Sequence, residues 1–223
     1  MEFAGPDAAD FANVRALNGA FLELARRRRL SRACLNGLDE KLANRLQGLS
    51  DIQARRLACA PFLLFSLRER DARLWEQLFK AAGNPDLFAA SSAASDELAR
   101  LTAAGLGFVW QLAQRNPYAA RVLAGATLHW CEQIADRTFF QLLAVTRIRE
   151  DLLQLRSGGA GDLWLKLLDA GVKKEDRIRQ CAHISALHAV LTHDRSNVRQ
   201  TWATAARKMD RPGLHVAEES DEG

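Results

Sequence analysis

The chain has 223 residues, 48% of them apolar and 26% charged, with a formal charge of +4. That is enough apolar material for one large helical domain or two small ones. No stretch approaches the ~20 apolar residues of a membrane span, and the start MEFAGPDAAD has no basic region leading into an apolar run, so a cytoplasmic protein without a secretory leader is expected.

Helical periodicity dominates, and Tyr118 is the only tyrosine. An all-α fold is expected, with two helical subdomains at 1–80 and 95–210, a linker at 81–94 and a disordered acidic tail at 211–223. The first helix covers about 10–28, with Val14, Leu17, Phe21 and Leu24 on one stripe. A short turn follows at Ser31–Leu35. Asp39 caps a helix to about Gln47 with Leu42, Ala43 and Leu46 inward; after the Gly48-Leu49 turn, Ser50 caps a helix that Pro61 stops. The apolar run Phe62–Leu67 reads as a strand or as buried coil, and helix resumes over about 69–80. The composition then shifts to AAGNPDLFAASSAAS, which reads as a linker.

Beyond it, Ser95 caps a helix to about Gln114 with Leu98, Leu101, Val109 and Leu112 inward. Asn116-Pro117 starts another, to about Ile134, and two further helices are expected at 136–146 and 148–156. The run Ser157–Gly161 breaks the chain, and Asp162 caps a helix to about Ala170. The next spans about 174–192, with Ile178, Cys181, Ile184, Leu187 and Leu191 inward, and a last one spans 196–208.

No GxGxxG, P-loop, HExxH or GxSxG motif is present, and the SGGAGD stretch lacks the Lys-Ser/Thr of a phosphate loop. His129-x-Cys131 and Cys181-x-His183 look like paired metal ligands. Two residues apart on an α-helix is roughly 200° of rotation, so each pair faces two ways and cannot chelate one ion. Cys181 reads instead as a small core residue, and the four scattered cysteines as free thiols. No enzyme, metal or cofactor is expected.

Positive charge clusters in three places. Arg26, Arg27, Arg28 and Arg29, with Arg32 beyond, end the first helix, where cations either contact phosphates or simply complement the helix dipole. Lys173, Lys174, Arg177 and Arg179 open a later helix, where the dipole disfavours them and a binding role is more attractive. Arg195, Arg199, Arg207, Lys208 and Arg211 form the third cluster. Helices 39–47 and 51–60 form a helix–turn–helix-shaped corner whose second helix presents Gln53, Arg55 and Arg56 for base contacts; a plain helical hairpin has the same pattern. Asn18 falls on the inner stripe of the first helix. It reads either as the cap of a neighbouring loop or as a register-setting residue in a dimer.

The run from Leu17 to Arg68 resembles the D subunit of the bacterial flagellar master transcriptional regulator (FlhD-like). The resemblance rests on Asn18, Phe21, Leu22, Leu24 and Ala25 in the first helix, and on Leu35-Asn36-Gly37-Leu38. It continues with Leu42-Ala43-Asn44, Leu49-Ser50 with Gln53, Leu57-Ala58, and Phe65 with Arg68. An Asn intervenes in the second of these motifs, and the chain is a few residues shorter after the first helix. The resemblance implies a homo-oligomeric module, a dimer through Leu17, Asn18, Phe21 and Leu24, that joins a second regulator subunit to bind duplex promoter DNA. The alternative is a protein–protein adaptor or anti-activator with no DNA contact.

Overall fold

The computed structural model describes residues 5–30, 34–35, 38–81, 97–148, 151–156 and 162–209, with backbone alone for 147–148, 162 and 193–209. The fold is all-α. The elements are α1 (Ala8–Arg26), α2 (Glu40–Gln47), α3 (Asp51–Ala58), β1 (Phe65–Ser66), α4 (Ala72–Ala81), α5 (Glu97–Arg115), α6 (Pro117–Ala124), α7 (Leu128–Ala135), α8 (Phe139–Ile148), β2 (Gln154–Leu155), α9 (Asp162–Asp169) and α10 (Asp176–Met209).

Helix starts follow local side-chain chemistry. Asp39, Ser50 and Asn116 each accept a backbone N–H three residues on, and Pro117 opens α6. Asp7 and Asp10 form a reciprocal box at the start of α1, and Arg115 from α5 reaches both carboxylates. The Asp10 backbone N–H, and then Arg115, hold the Asp7 carboxyl below its usual range. At the other end of α1, Arg28 adopts a left-handed φ of 56°. Its N–H reaches the Ala25 carbonyl while that of Arg29 reaches Leu24, the paired bonds of a Schellman stop.

The chain divides into a compact unit of 1–191 and a second unit of 192–223, of which the helical backbone to Met209 is described. Two separate cores at 1–80 and 95–210 are not present. α1 packs on both α3 and α5, so helices on either side of 82–96 share one hydrophobic cluster that includes Phe21, Phe65, Trp75, Val109, Leu123 and Leu167. The physical reason is that α1 buries one broad face, with Leu24 at one margin, Phe21, Val14 and Ala25 in the middle and Leu22 at the other margin, roughly 160° of its circumference. The linker beyond Ala81 and the acidic tail lie outside the described residues.

Three element assignments differ from expectation. The expected helix at 148–156 gives way to β2, whose Gln154 and Leu155 pair antiparallel with Ser66 and Phe65. The expected helix 117–134 breaks at Gly125, which takes a left-handed φ of 61° before Thr127 caps α7. A side chain at Gly125 would collide with Val190 and with the Arg156 guanidinium, so glycine is required there for space as well as for φ. The backbone from Asp176 to Met209 is one helix rather than two.

Candidate nucleic-acid and partner interface

The arginine run at the end of α1 is not a uniform phosphate clamp. Arg26 pairs with Glu23 and bridges to Asp51 at the start of α3, 2.5 Å away. Arg27 pairs with Glu23 at 2.8 Å and lies 3.9 Å from Glu97. These two cations are neutralised locally and join α1 to its neighbours. Arg28 and Arg29 are exposed, with no ion pair among the described residues, and remain open to an anionic partner. Arg32 lies outside the described residues, as do the side chains of the third basic segment.

The α2–α3 corner buries Leu46, Leu49, Ala54 and Leu57 against α1 and leaves Ile52, Arg55 and Cys59 outward. Gln53 is not poised for base contact through its carbonyl: its Oε1 accepts the Ser50 N–H at 3.0 Å, closing a capping box. Arg56 turns across the corner and donates to the Val172 carbonyl at 3.3 Å. Arg45 of α2 reaches Asp169 at the end of α9, 2.5 Å away. These two links, both across more than 110 residues of sequence, seat the corner on the turn between α9 and α10. That turn carries the exposed Lys173 and Lys174, and Arg177 follows on the first turn of α10. Arg179 folds back onto the Lys173 and Lys174 carbonyls and onto Asp176, so it supports the turn rather than projecting from it. The structure thus joins the corner that carries Arg55 and Arg56 to the turn that carries Lys173 and Lys174.

Next to it, α10 turns a different face inward from the one expected. The buried positions are Ala182, His183, Ala186 and Val190, with Leu187 half-buried, whereas Ile178 is 49% and Ile184 63% exposed and Cys181 is also outside. Small residues let α10 approach closely, which leaves its larger apolar stripe in solvent. Leu165 on α9, 41% exposed, faces the same side. Between α9 and α10 an open trough of about 550 Å³ is lined by Leu165, Ala170, Ile178, Cys181 and Ala182, with Lys166, Asp169, Arg177 and Ser185 at its edges.

The proposed oligomer contacts on α1 are internal. Asn18 is fully buried; its Nδ2 donates to the Phe62 carbonyl at 2.9 Å and its Oδ1 accepts the Leu64 N–H at 2.8 Å. Phe21 packs on Phe65 with ring centroids 5.5 Å apart, Leu24 is buried, and Leu17 packs half-buried against the same cluster. Asn18, Phe21 and Leu24 are taken up by the core of their own chain, while Leu17 keeps part of its surface exposed.

Both His/Cys pairs are split across their helices, as the helical rotation requires. His129 is exposed and Cys131 buried, with burial pushing its thiol up to about 12; Cys181 is outside and His183 inside. Among the described residues no group of three His, Cys, Asp or Glu side chains is placed to hold a metal ion. Burial lowers the His183 pKa to about 4, against a raising contribution from a hydrogen bond with the Gly171 backbone, and its Nε2 has no partner among the described residues. The unfolded chain binds this proton near 6.5, so the folded state loses ground as pH falls from 6.5 towards 4. Urea unfolding at pH 7 and 4.5 is expected to show on the order of 2 kcal/mol more acid destabilisation in the parent than in His183→Leu; an equal pH dependence would mean that His183 stays solvated.

Comparison with protein-family models, with curated proteins and with solved structures finds no match for this chain.

Proposed function

We propose that the chain is a regulator subunit that binds duplex DNA together with a partner protein, and that it acts by assembly rather than catalysis. The observation that carries this reading is the Arg56–Val172 hydrogen bond. It ties the α2–α3 corner, on which Arg55 is exposed, to the turn that carries the exposed Lys173 and Lys174, which supports a basic surface drawn from two distant parts of the chain. Of the acids beside these cations, Asp169 is engaged by Arg45 and Asp176 by Arg179, while Glu175 is exposed. Such a surface suits phosphate contacts, which set register and affinity but not sequence choice. The resemblance of residues 17–68 to the flagellar regulator's D subunit points the same way.

The test is the salt dependence of duplex DNA binding by fluorescence anisotropy. Each phosphate contact contributes about 0.9 to the slope of log affinity against log salt. The triple variant Lys173→Gln, Lys174→Gln, Arg177→Gln is expected to flatten the slope by about 2 to 3, and Arg28→Gln with Arg29→Gln by at most about 2. Arg26→Gln is expected to leave the slope alone, because its charge is held by Glu23 and Asp51. A parent protein with no salt-dependent DNA binding, alone or with its partner, would overturn the reading. A second reading, an adaptor without DNA contact, is favoured by the exposed Leu165, Ile178 and Ile184, side chains of the kind that protein partners cover.

A further inference from the structure

We infer that the trough between α9 and α10 is the docking site for an acidic amphipathic helix of a partner protein. The inference names where the partner called for by the proposed function binds; it rests on that reading only for the need of a partner, since the groove and its charge stand without DNA.

The trough has the shape of a seat for a third helix. It is lined by Leu165 of α9 and by Ile178 and Cys181 of α10, with the small Ala170 and Ala182 among them. Larger apolar side chains from two helices interspersed with small ones accept the apolar ridge of an incoming helix, read as residues spaced i, i+3, i+4 and i+7. Ile184, also exposed, lies further along α10 and roughly 120° round from Ile178, so it adds apolar surface beside the trough.

Charge selects the occupant. Lys166 stands on the α9 edge and Arg177 on the α10 edge. The one carboxylate among the lining residues, Asp169, is paired with Arg45 at 2.5 Å. Lys173 and Lys174 are exposed on the turn joining the two helices. A helix with Glu or Asp flanking its apolar ridge meets cations on both sides. A second copy of this surface would bring two cationic edges, each with Lys166 and Arg177, to one seam, which disfavours self-association here.

The test uses the full chain and a fluorescent synthetic peptide of about 18 residues, with Leu at the ridge positions and Glu elsewhere. Saturable binding is expected, weakened about tenfold by Ile178→Ser and several-fold by Arg177→Glu, and about tenfold weaker for the same peptide with Lys in place of Glu. Both altered residues are solvent-exposed, so an unchanged thermal melt is expected to accompany the loss. Equal affinity for the Glu and Lys peptides, or indifference to both substitutions, would overturn the inference. So would a sedimenting dimer of the parent that Ile178→Ser dissolves, since a second copy would then occupy the trough. Duplex DNA is titrated in parallel. Loss of peptide binding in Ile178→Ser with DNA affinity intact supports the docking site, whereas a parent that binds peptide but no DNA sinks the regulator reading and leaves the docking site standing.

Discussion

Arg156→Met is expected to lower the unfolding free energy by about 3 to 5 kcal/mol, the range found when one member of a buried ion pair is removed. Arg156 lies just past β2 and is 3% exposed. Its Nη1 meets Glu69 at 2.8 Å, while Nε and Nη2 donate to the Leu63 and Phe65 carbonyls at 2.5 and 2.6 Å. Glu69 in turn accepts from the Ser66 hydroxyl and the Leu67 N–H, and the Arg156 carbonyl accepts the Trp164 indole N–H at 2.7 Å. The guanidinium therefore ties the β1 segment to Glu69 ahead of α4, while the backbone carbonyl of the same residue joins α9 through Trp164. Met has comparable length and fills the space, so the cost arises from a buried carboxylate that loses its counter-charge and the donor to one oxygen, and from two carbonyls that lose the guanidinium, rather than from a void.

Glu69→Gln keeps an oxygen for the Ser66 and Leu67 donors but turns an NH2 towards the buried guanidinium. It is expected to cost about 3 kcal/mol, the lower end of that range, because Arg156 keeps the Leu63 and Phe65 carbonyls. The double variant is expected to be less destabilised than the sum of the singles, by roughly 1 to 3 kcal/mol, because the same contact is lost twice. It does not return to the parent, since the Leu63 and Phe65 carbonyls stay bare. Urea unfolding of the four proteins gives the cycle. Additive losses would show that Arg156 acts through its backbone bonds alone.

What the sequence made legible, and what it did not, follows from the range of each interaction. The caps at Asp39, Ser50 and Asn116 act within three residues, and all three stand where expected. The Arg156–Glu69 pair spans 87 residues. In the sequence Arg156 is one more surface arginine at the end of an expected helix, and only the pairing of β2 with β1 turns it inward. Gly125 reads as tolerable inside a helix until Val190 and Arg156 are seen to occupy the space its side chain would need. On α10, two stripes compete at helical spacing: one of Ile178, Cys181 and Ile184, the other of Ala182, Ala186 and Val190. Hydrophobicity favours the first, yet the second is buried, because closeness of approach depends on side-chain size and on what the facing helices present. The candidate surface was half legible for the same reason. Its cations could be read from the chain, but their juxtaposition depends on the Arg56–Val172 and Arg45–Asp169 links.

Asn18→Leu is expected to destabilise the chain by about 2 to 4 kcal/mol, and the effect separates the two roles open to this residue. In the fold its amide is a clasp. The Nδ2 group donates to the Phe62 carbonyl at 2.9 Å and lies 3.4 Å from those of Ala58 and Ala60, while Oδ1 accepts the Leu64 N–H. The segment from 58 to 64 leaves α3 and runs to β1; Leu123 and Arg156 bond Leu63 and the Leu64 carbonyl, and α1 supplies the Phe62 carbonyl and the Leu64 N–H through one side chain. Leu matches the amide in size but offers neither donor nor acceptor, leaving a buried N–H and a carbonyl unpaired at about 1 to 3 kcal/mol each, in part recovered by the added apolar burial. Asn18→Asp keeps the acceptor but sets a carboxylate against the carbonyls. It is expected to be at least as destabilising near neutral pH and to recover as acid protonates it, because the proton restores a donor. If Asn18 instead set the register of a dimer, replacing it with Leu would raise rather than lower stability, as removal of a lone polar residue from an apolar seam does, and the melting temperature would climb with protein concentration. Thermal melts of the parent and Asn18→Leu over a hundredfold range of concentration distinguish the two. A lowered melting temperature that does not move with concentration is the expected result, and a raised one that does would return α1 to the oligomer interface.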